Sequence, residues 1–227
     1  MIDEHSLSAT IDAVNQALFD QRKLSAAERK RTARWLAARQ GLPGAYGDTF
    51  AGFEGEFEKG IVLFTGERIA SASARHILGE ETCRVLRLLA VPEAPVQAAL
   101  SRASRGVLGF LERAAQDPRY SNAGWFCCGK CSVGLWRNLL SGGLDRREER
   151  LQAGVRGLHA RRDGHGEWRR FPFWYTVLAL AELDLPSARQ ELKYAAPLLE
   201  RAATRKPGAS PYAQRRQQLA SAALARL

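Results

Sequence analysis

The sequence predicts an all-α protein, a single domain over residues 1–227 built from antiparallel helical hairpins. Three observations carry this reading. Apolar residues recur three and four positions apart along most of the chain. Residue types that start and stop helices punctuate those runs. No segment alternates apolar and polar residues over a strand's length, and Gly60 to Phe64 is too short to carry a sheet. With 45% hydrophobic and 26% charged residues in 227, the chain has a globular composition and enough length for a substantial core.

Taken in order, the pattern places helices near 8–21, 25–40, 70–90, 94–116, 129–141, 146–161, 172–184, 187–205 and 211–226. Ser25-Ala26-Ala27-Glu28 reads as a capping box, in which hydroxyl and carboxylate satisfy each other's orphan backbone N–H groups. The helix it opens ends at Gly41. Asp145 to Glu148 and Ser187 to Gln190 read as two further boxes, and Ser210-Pro211 as an N-cap followed by Pro in the first turn. Between the second and third helices lies an irregular stretch, Gly41 to Glu58, holding Asp48, Glu54, Glu56 and Glu58. Ordered loops of that length are more often functional than accidental.

Charge is uneven. Lys and Arg total 34 against 24 acidic residues, a net +10. Residues 1–142 hold 18 basic and 15 acidic side chains, whereas 143–227 hold 16 and 9. Arg and Glu alternate along helical faces, as in Arg146-Arg147-Glu148-Glu149-Arg150, which suits solvated ion pairs. Without an aromatic RNA-binding strand or zinc-finger spacing, the sequence argues against specific nucleic-acid binding and leaves an Arg-dependent nucleic-acid binder as the third reading. The longest uncharged runs are far shorter than a membrane span, so no membrane insertion is expected. The acidic N-terminus lacks a signal-like apolar stretch, and the expected location is cytoplasmic, where thiols stay reduced.

One turn pattern repeats. Arg34 to Tyr46 aligns with Val155 to Trp168: a basic amphipathic helix, a Gly-containing turn, then an aromatic two residues past a Gly, Gly44-x-Tyr46 in one copy and Gly166-x-Trp168 in the other. Gly109 to Gln116, followed by Asn122-Ala123-Gly124-Trp125, is a weaker third copy. Gly supplies the left-handed backbone that reverses the chain, and the aromatic packs back on the hairpin.

These turns, above all Arg162-Asp163-Gly164-His165-Gly166-Glu167-Trp168, resemble the QW-like repeats of the terpenoid cyclase and protein prenyltransferase (squalene cyclase-like) superfamily. The resemblance implies an α/α-toroid-like array of hairpins around a central cavity, here a small or incomplete ring, acting on an apolar, isoprenoid-like small molecule. It does not bring that superfamily's chemistry with it, because the chain has neither Asp-x-Asp-Asp nor Asp-x-Cys.

Candidate chemistry concentrates in two places. Trp125-Phe126-Cys127-Cys128-Gly129-Lys130-Cys131 puts three thiols at a predicted helix N-terminus, where the dipole favours thiolate. Cys127, Cys128 and Cys131 are candidate metal ligands, with zinc the natural ion for such donors. Buried thiols or a redox pair are the alternatives, although no strand frame supports a thioredoxin fold. On the helix over 70–90, His76, Glu80 and Cys83 share a face, and His76 with Glu80 could share a metal. Were both segments inner helices, His76, Glu80, Cys128 and Cys131 would meet as a catalytic set, carboxylate or imidazole moving protons and thiolate attacking or binding metal. Phe171, Phe173, Trp174, Tyr175 and Trp136 either line a cavity or fill the core. The alternative to an enzyme is a non-catalytic helical-repeat module that binds a protein partner.

Overall fold

The computed structural model describes residues 1–117 and 124–227. Ten helices and one hairpin account for the described chain: α1 (Leu7–Phe19), α2 (Ala26–Ala37), α3 (Glu54–Lys59), β1 (Ile61–Val62), β2 (Arg68–Ile69), α4 (Ser73–Leu89), α5 (Ala94–Ala115), α6 (Gly129–Leu140), α7 (Arg147–His159), α8 (Phe173–Glu182), α9 (Pro186–Thr204) and α10 (Pro211–Leu224). The protein is all-α apart from the two-stranded antiparallel β1–β2. No described helix is long and apolar enough to cross a membrane.

Local chemistry explains most helix ends. Ser25 and Glu28 form the reciprocal box at α2. The other two expected boxes do not form. At α7 the cap residue is Arg146, in the left-handed region, while Asp145 instead accepts from Arg150 at 3.0 Å. At α9 Leu185 caps and Pro186 opens the helix one residue before Ser187, because proline's missing N–H costs nothing in a first turn. The stretch 41–58 is more structured than expected: it contains α3, and Glu56 is buried, accepting from Ser6 Oγ at 2.8 Å and the Ser8 and Phe53 amides at 2.7 and 2.8 Å. That carboxylate ties the loop to the start of α1.

The turn repeat is visible in the backbone. After α2, Gln40 bridges Phe50, with Ala51 N–H donating to Arg39 O and Gly41 N–H to Thr49 O. After α7, Arg162 bridges Trp168, with Arg169 N–H donating to Arg161 O and Asp163 N–H to Glu167 O. The two turns are therefore equivalent, but Phe50, not Tyr46, occupies the place of Trp168; a four-residue longer loop displaced the match by spacing. Phe50 and Trp168 are both buried, and Trp168 Nε1 donates to the buried Glu191 at 2.8 Å. Of the third copy, Gly109 to Trp125, Asn122 and Ala123 lie outside the described residues.

Helices that follow the turns form the middle of the molecule. α4 packs against α1, α2, α5 and α6, α6 against α7 and α8, and α8 against α9 and α10. Arg215 of α10 closes on α1, donating to both Asp12 carboxylate oxygens at 2.7 and 2.8 Å and to Phe64 O at 2.9 Å. α4 and α6 run side by side in the same direction, since residue 76 meets 131, residue 81 meets 137 and residue 87 meets 141. This parallel register brings the early turns of both helices to one end.

Candidate metal centre

The end shared by α4 and α6 is where the chemistry collects. Gly129 lets α6 start there: a Cβ at this position would lie 2.6 Å from Arg170 O, so only glycine fits beneath the turn before α8. Cys128 is the N-cap of α6, Cys131 lies in its first turn and Cys127 precedes it. Ser132 fixes this entry by accepting from Phe126 N–H at 3.0 Å and donating to Cys128 O at 2.8 Å. On α4, Ser73 and His76 lie in the first turn, facing these thiols.

His76 Nδ1 lies 3.1 Å from Cys127 Sγ and 3.3 Å from Cys131 Sγ. These three donor atoms lie within 4.8 Å of one another. Cys128 Sγ adjoins the group, 3.5 Å from Cys131 Sγ and 3.4 Å from Ser73 Oγ. All four cysteines are free thiols. Burial lowers the His76 pKa, with Cys128 opposing, so the imidazole favours its neutral, ligand form. The thiols are coupled: hydrogen bonds from Cys127 and Cys131 hold the Cys128 thiol well below the usual thiol range, while hydrogen bonds with Cys127 and then Cys128, with burial, push Cys131 up.

An aromatic box orients the imidazole. Tyr46, Phe126 and Phe110 place their ring centroids 4.4, 5.0 and 5.8 Å from that of His76. Tyr46 reaches this position because its loop lies directly on α5, where a Cβ on Gly106 would come within 1.5 Å of Gly47 O. Sequence reasoning missed Ser73, Tyr46, Phe110 and Phe126; only Ser73, one turn before His76 on the same face, carried a signal in spacing.

Glu80 stands apart from the thiols. Fully buried, it accepts from Tyr46 Oη at 2.6 Å and from Asn138 Nδ2 at 2.5 Å, and Asn138 in turn accepts from Arg87. The structure joins His76, Cys128 and Cys131 and leaves Glu80 one turn deeper, where it holds the Tyr46 hydroxyl. Burial raises its pKa to about 7, against the pull of the Tyr46 and Asn138 hydrogen bonds. Cys83 is fully buried in the core and its thiol is pushed up by burial.

Beyond Glu80, the middle of the helices holds a buried ionic network. Arg137, 2% exposed, donates to both Glu182 oxygens at 3.0 Å and to Glu81. Tyr175 Oη donates to the same Glu81 oxygen at 2.6 Å, and Arg84 bridges Glu182 and Asn15 at 2.9 and 2.7 Å. Beside this network a partly open pocket of about 20 Å³ is lined by Ile11, Asn15, Phe64, Ile77, Glu81 and Tyr175 among others. That is room for one water. Of the aromatics, Tyr175 lines this pocket, whereas Phe171 and Trp136 stack on each other in the core at 5.8 Å.

Comparison with known proteins finds no matching family model, curated protein or solved structure. The chemistry therefore rests on the donors themselves. Around a tetrahedral zinc, metal–sulfur and metal–nitrogen lengths of about 2.3 and 2.0 Å put neighbouring donors about 3.5 to 3.8 Å apart. The His76–Cys127, His76–Cys131 and Cys128–Cys131 separations of 3.1, 3.3 and 3.5 Å lie close to that spacing.

Proposed function

We propose that the protein is a zinc-binding helical-repeat protein whose metal is held by His76 Nδ1 and the thiolates of Cys127, Cys131 and Cys128. The single observation behind this reading is the convergence of an imidazole nitrogen and the thiols on one point from two helices about 50 residues apart in sequence. Thiolate and imidazole donors together select zinc over the hard cations. A four-ligand shell is closed, and closed zinc sites supply folding energy rather than a reactive water. In this reading the ion fastens the first turns of α4 and α6 and stabilises the hairpins around them. We read the succession α1, α4, α6, α8, α10 as a small α/α-toroid-like ring, supported by the contacts between consecutive members and by Arg215 returning to Asp12.

Elemental analysis of the purified chain tests this. One zinc per chain is expected, lost in His76→Ala and Cys131→Ser. Iron, or no metal in a folded chain, would overturn it. Cys128 decides between structural and catalytic use, since it adjoins the three mutually close donors without belonging to that set. Zinc lost or bound far more weakly in Cys128→Ser supports the closed shell. Full zinc in Cys128→Ser would mean an open fourth position, and would favour an enzyme acting on an apolar small molecule.

A further inference from the structure

We propose that a groove between the C-terminal end of α9 and the start of α10 is a binding site for a soluble organic diphosphate of mononucleotide size. Its volume is about 580 Å³, inside the range of about 300–1,000 Å³ typical of small-molecule sites. Four cations line it, Arg201, Arg205, Lys206 and Arg216, and among the described residues no carboxylate does. Other Arg residues of this C-terminal region have carboxylate partners: Arg162 pairs with Glu191, Arg189 with Asp184 and Arg215 with Asp12. The side chains of Arg205 and Lys206 have no hydrogen-bond or ion-pair partner among the described residues. Four like charges around one concavity repel one another, and a compact ligand carrying several negative charges removes that repulsion.

Two of the cations are already fixed. Arg201 Nε donates to Pro197 O at 3.1 Å and Arg216 Nε to Thr65 O at 2.6 Å, which leaves the remaining guanidinium N–H groups available. Gln217 Nε2 donates to both Ala203 O and Arg205 O at 3.0 Å, clamping the backbone that carries the two unmatched side chains. Such fixing reduces the ordering cost of binding. The rest of the lining is apolar: Trp174, Leu198, Ala202 and Ala213. The Arg216 guanidinium lies 5.9 Å from the Trp174 ring, so charged and apolar groups adjoin. Phosphates on the cations and an organic body on the apolar groups use both. A concave site of this size suits a small molecule better than a nucleic-acid strand, which needs an extended track of phosphate contacts.

Calorimetric titration of the full chain with inorganic pyrophosphate, ADP and adenosine, at low salt and at about 150 mM salt, provides the test. Expected are one site for pyrophosphate, tighter binding of ADP because the apolar groups contribute, and none of adenosine at the same concentrations. Arg205→Ala/Lys206→Ala should weaken pyrophosphate binding at least about tenfold. Arg147→Ala/Arg169→Ala, which removes the same charge from exposed positions elsewhere, should change it less than about twofold. The proposal is overturned if pyrophosphate fails to bind below about 1 mM, or if both double variants lose affinity equally, which would leave only net charge. It is also overturned if a 12-nucleotide single strand binds in a manner sensitive to Arg205 and Lys206 while pyrophosphate does not bind, making the groove a strand-binding surface. Neither double variant touches the core, so a folding failure would show at once in the far-UV spectrum.

Discussion

α4 and α6 present two different polar regions along one shared interface. At their first turns His76, Cys127, Cys128 and Cys131 find only one another, with Ser73 at the edge; Cys131 is fully buried and the other three are partly buried. From one turn further on, Glu80, Glu81, Arg137 and Asn138 are buried and Arg84 and Arg87 partly buried, joined by a web of charge-assisted hydrogen bonds in which Glu81 Oε2 has no hydrogen-bond partner among the described residues. Both regions put polar atoms where apolar ones would pack more simply. The ionic region answers its own desolvation with partners inside the chain, whereas the soft donors of the thiol region make only weak hydrogen bonds to each other. Donors that converge without satisfying each other are the ones that point to an absent ligand.

The largest test of this contrast strikes the ionic region. Arg137→Met should destabilise by about 3–5 kcal/mol, because the buried Glu81 would lose its closest cation and the partly buried Glu182 would keep only Arg84. Denaturant unfolding measures this, and adding Glu81→Gln and Glu182→Gln to the same chain should recover a large part of the loss. A cost under about 1 kcal/mol would mean that water reaches the network and that the two regions differ less than their burial implies.

Glu80, at the boundary between the regions, gives the next effect. Its folded pKa of about 7 lies above the ordinary glutamate value of 4.5, so the folded state binds the extra proton between those limits. Its contribution is fully present below about pH 4.5 and is lost as pH rises through 7. Relative to Glu80→Gln, the wild type should lose about 3 kcal/mol of stability across that window. Unfolding curves of both proteins at pH 5 and pH 8 give the difference; a constant gap would show that Tyr46 and Asn138 keep Glu80 ionised throughout.

How much of this was legible in the sequence follows from the range of each interaction. Helix positions were, because cores of helical proteins impose a 3.6-residue period that each segment carries by itself. Asp145-Arg146-Arg147-Glu148 shows the limit: its pattern is that of a capping box, yet Arg150 takes the Asp145 carboxylate and the helix starts a residue later. The thiols were legible as a local cluster, and His76 as their partner only through the turn repeat that makes α4 and α6 equivalent. Glu80 was assigned to the wrong group because a helical face gives angle but not depth: one turn separates a residue at the cluster from one bonded to Tyr46. Tyr46 itself was matched to Trp168, and only the backbone ladder puts Phe50 there instead. The network around Arg137 joins residues 15, 81, 137, 175 and 182, a set with no common spacing.

The thiol region should answer to metal as the ionic region does not. With zinc at about a hundred times its dissociation constant, the folded chain should gain about 2.7 kcal/mol over the chelated form. The melting temperature should then track free zinc, and His76→Ala should lose that dependence while keeping the response to Arg137→Met. Were chelation to leave the melting temperature unchanged, the converged donors would be a packing feature.

Ser73→Ala brings the smallest expected change and the sharpest reading of the thiol region. Ser73 is half-buried and its hydroxyl lies 3.4 Å from Cys128 Sγ, a long contact whose loss should cost no more than about 1 kcal/mol. Its value lies in reactivity. In the chelated protein the Cys128 thiol is held below the usual range first by Cys127 and Cys131, and then by Ser73. A lowered pKa means that the thiolate persists as pH falls and disappears only below the folded value, so Cys128 should alkylate at a nearly constant rate across neutral pH, while an ordinary thiol would slow tenfold per unit. Removing the Ser73 hydroxyl should move that midpoint upward without slowing the plateau rate, because the sulfur stays where it is. Mass-mapped alkylation from pH 9 downward until the rate falls, with and without zinc, reads both parts. Zinc should suppress the reaction in both proteins if Cys128 is the fourth ligand, and leave it running in both if the shell closes without it.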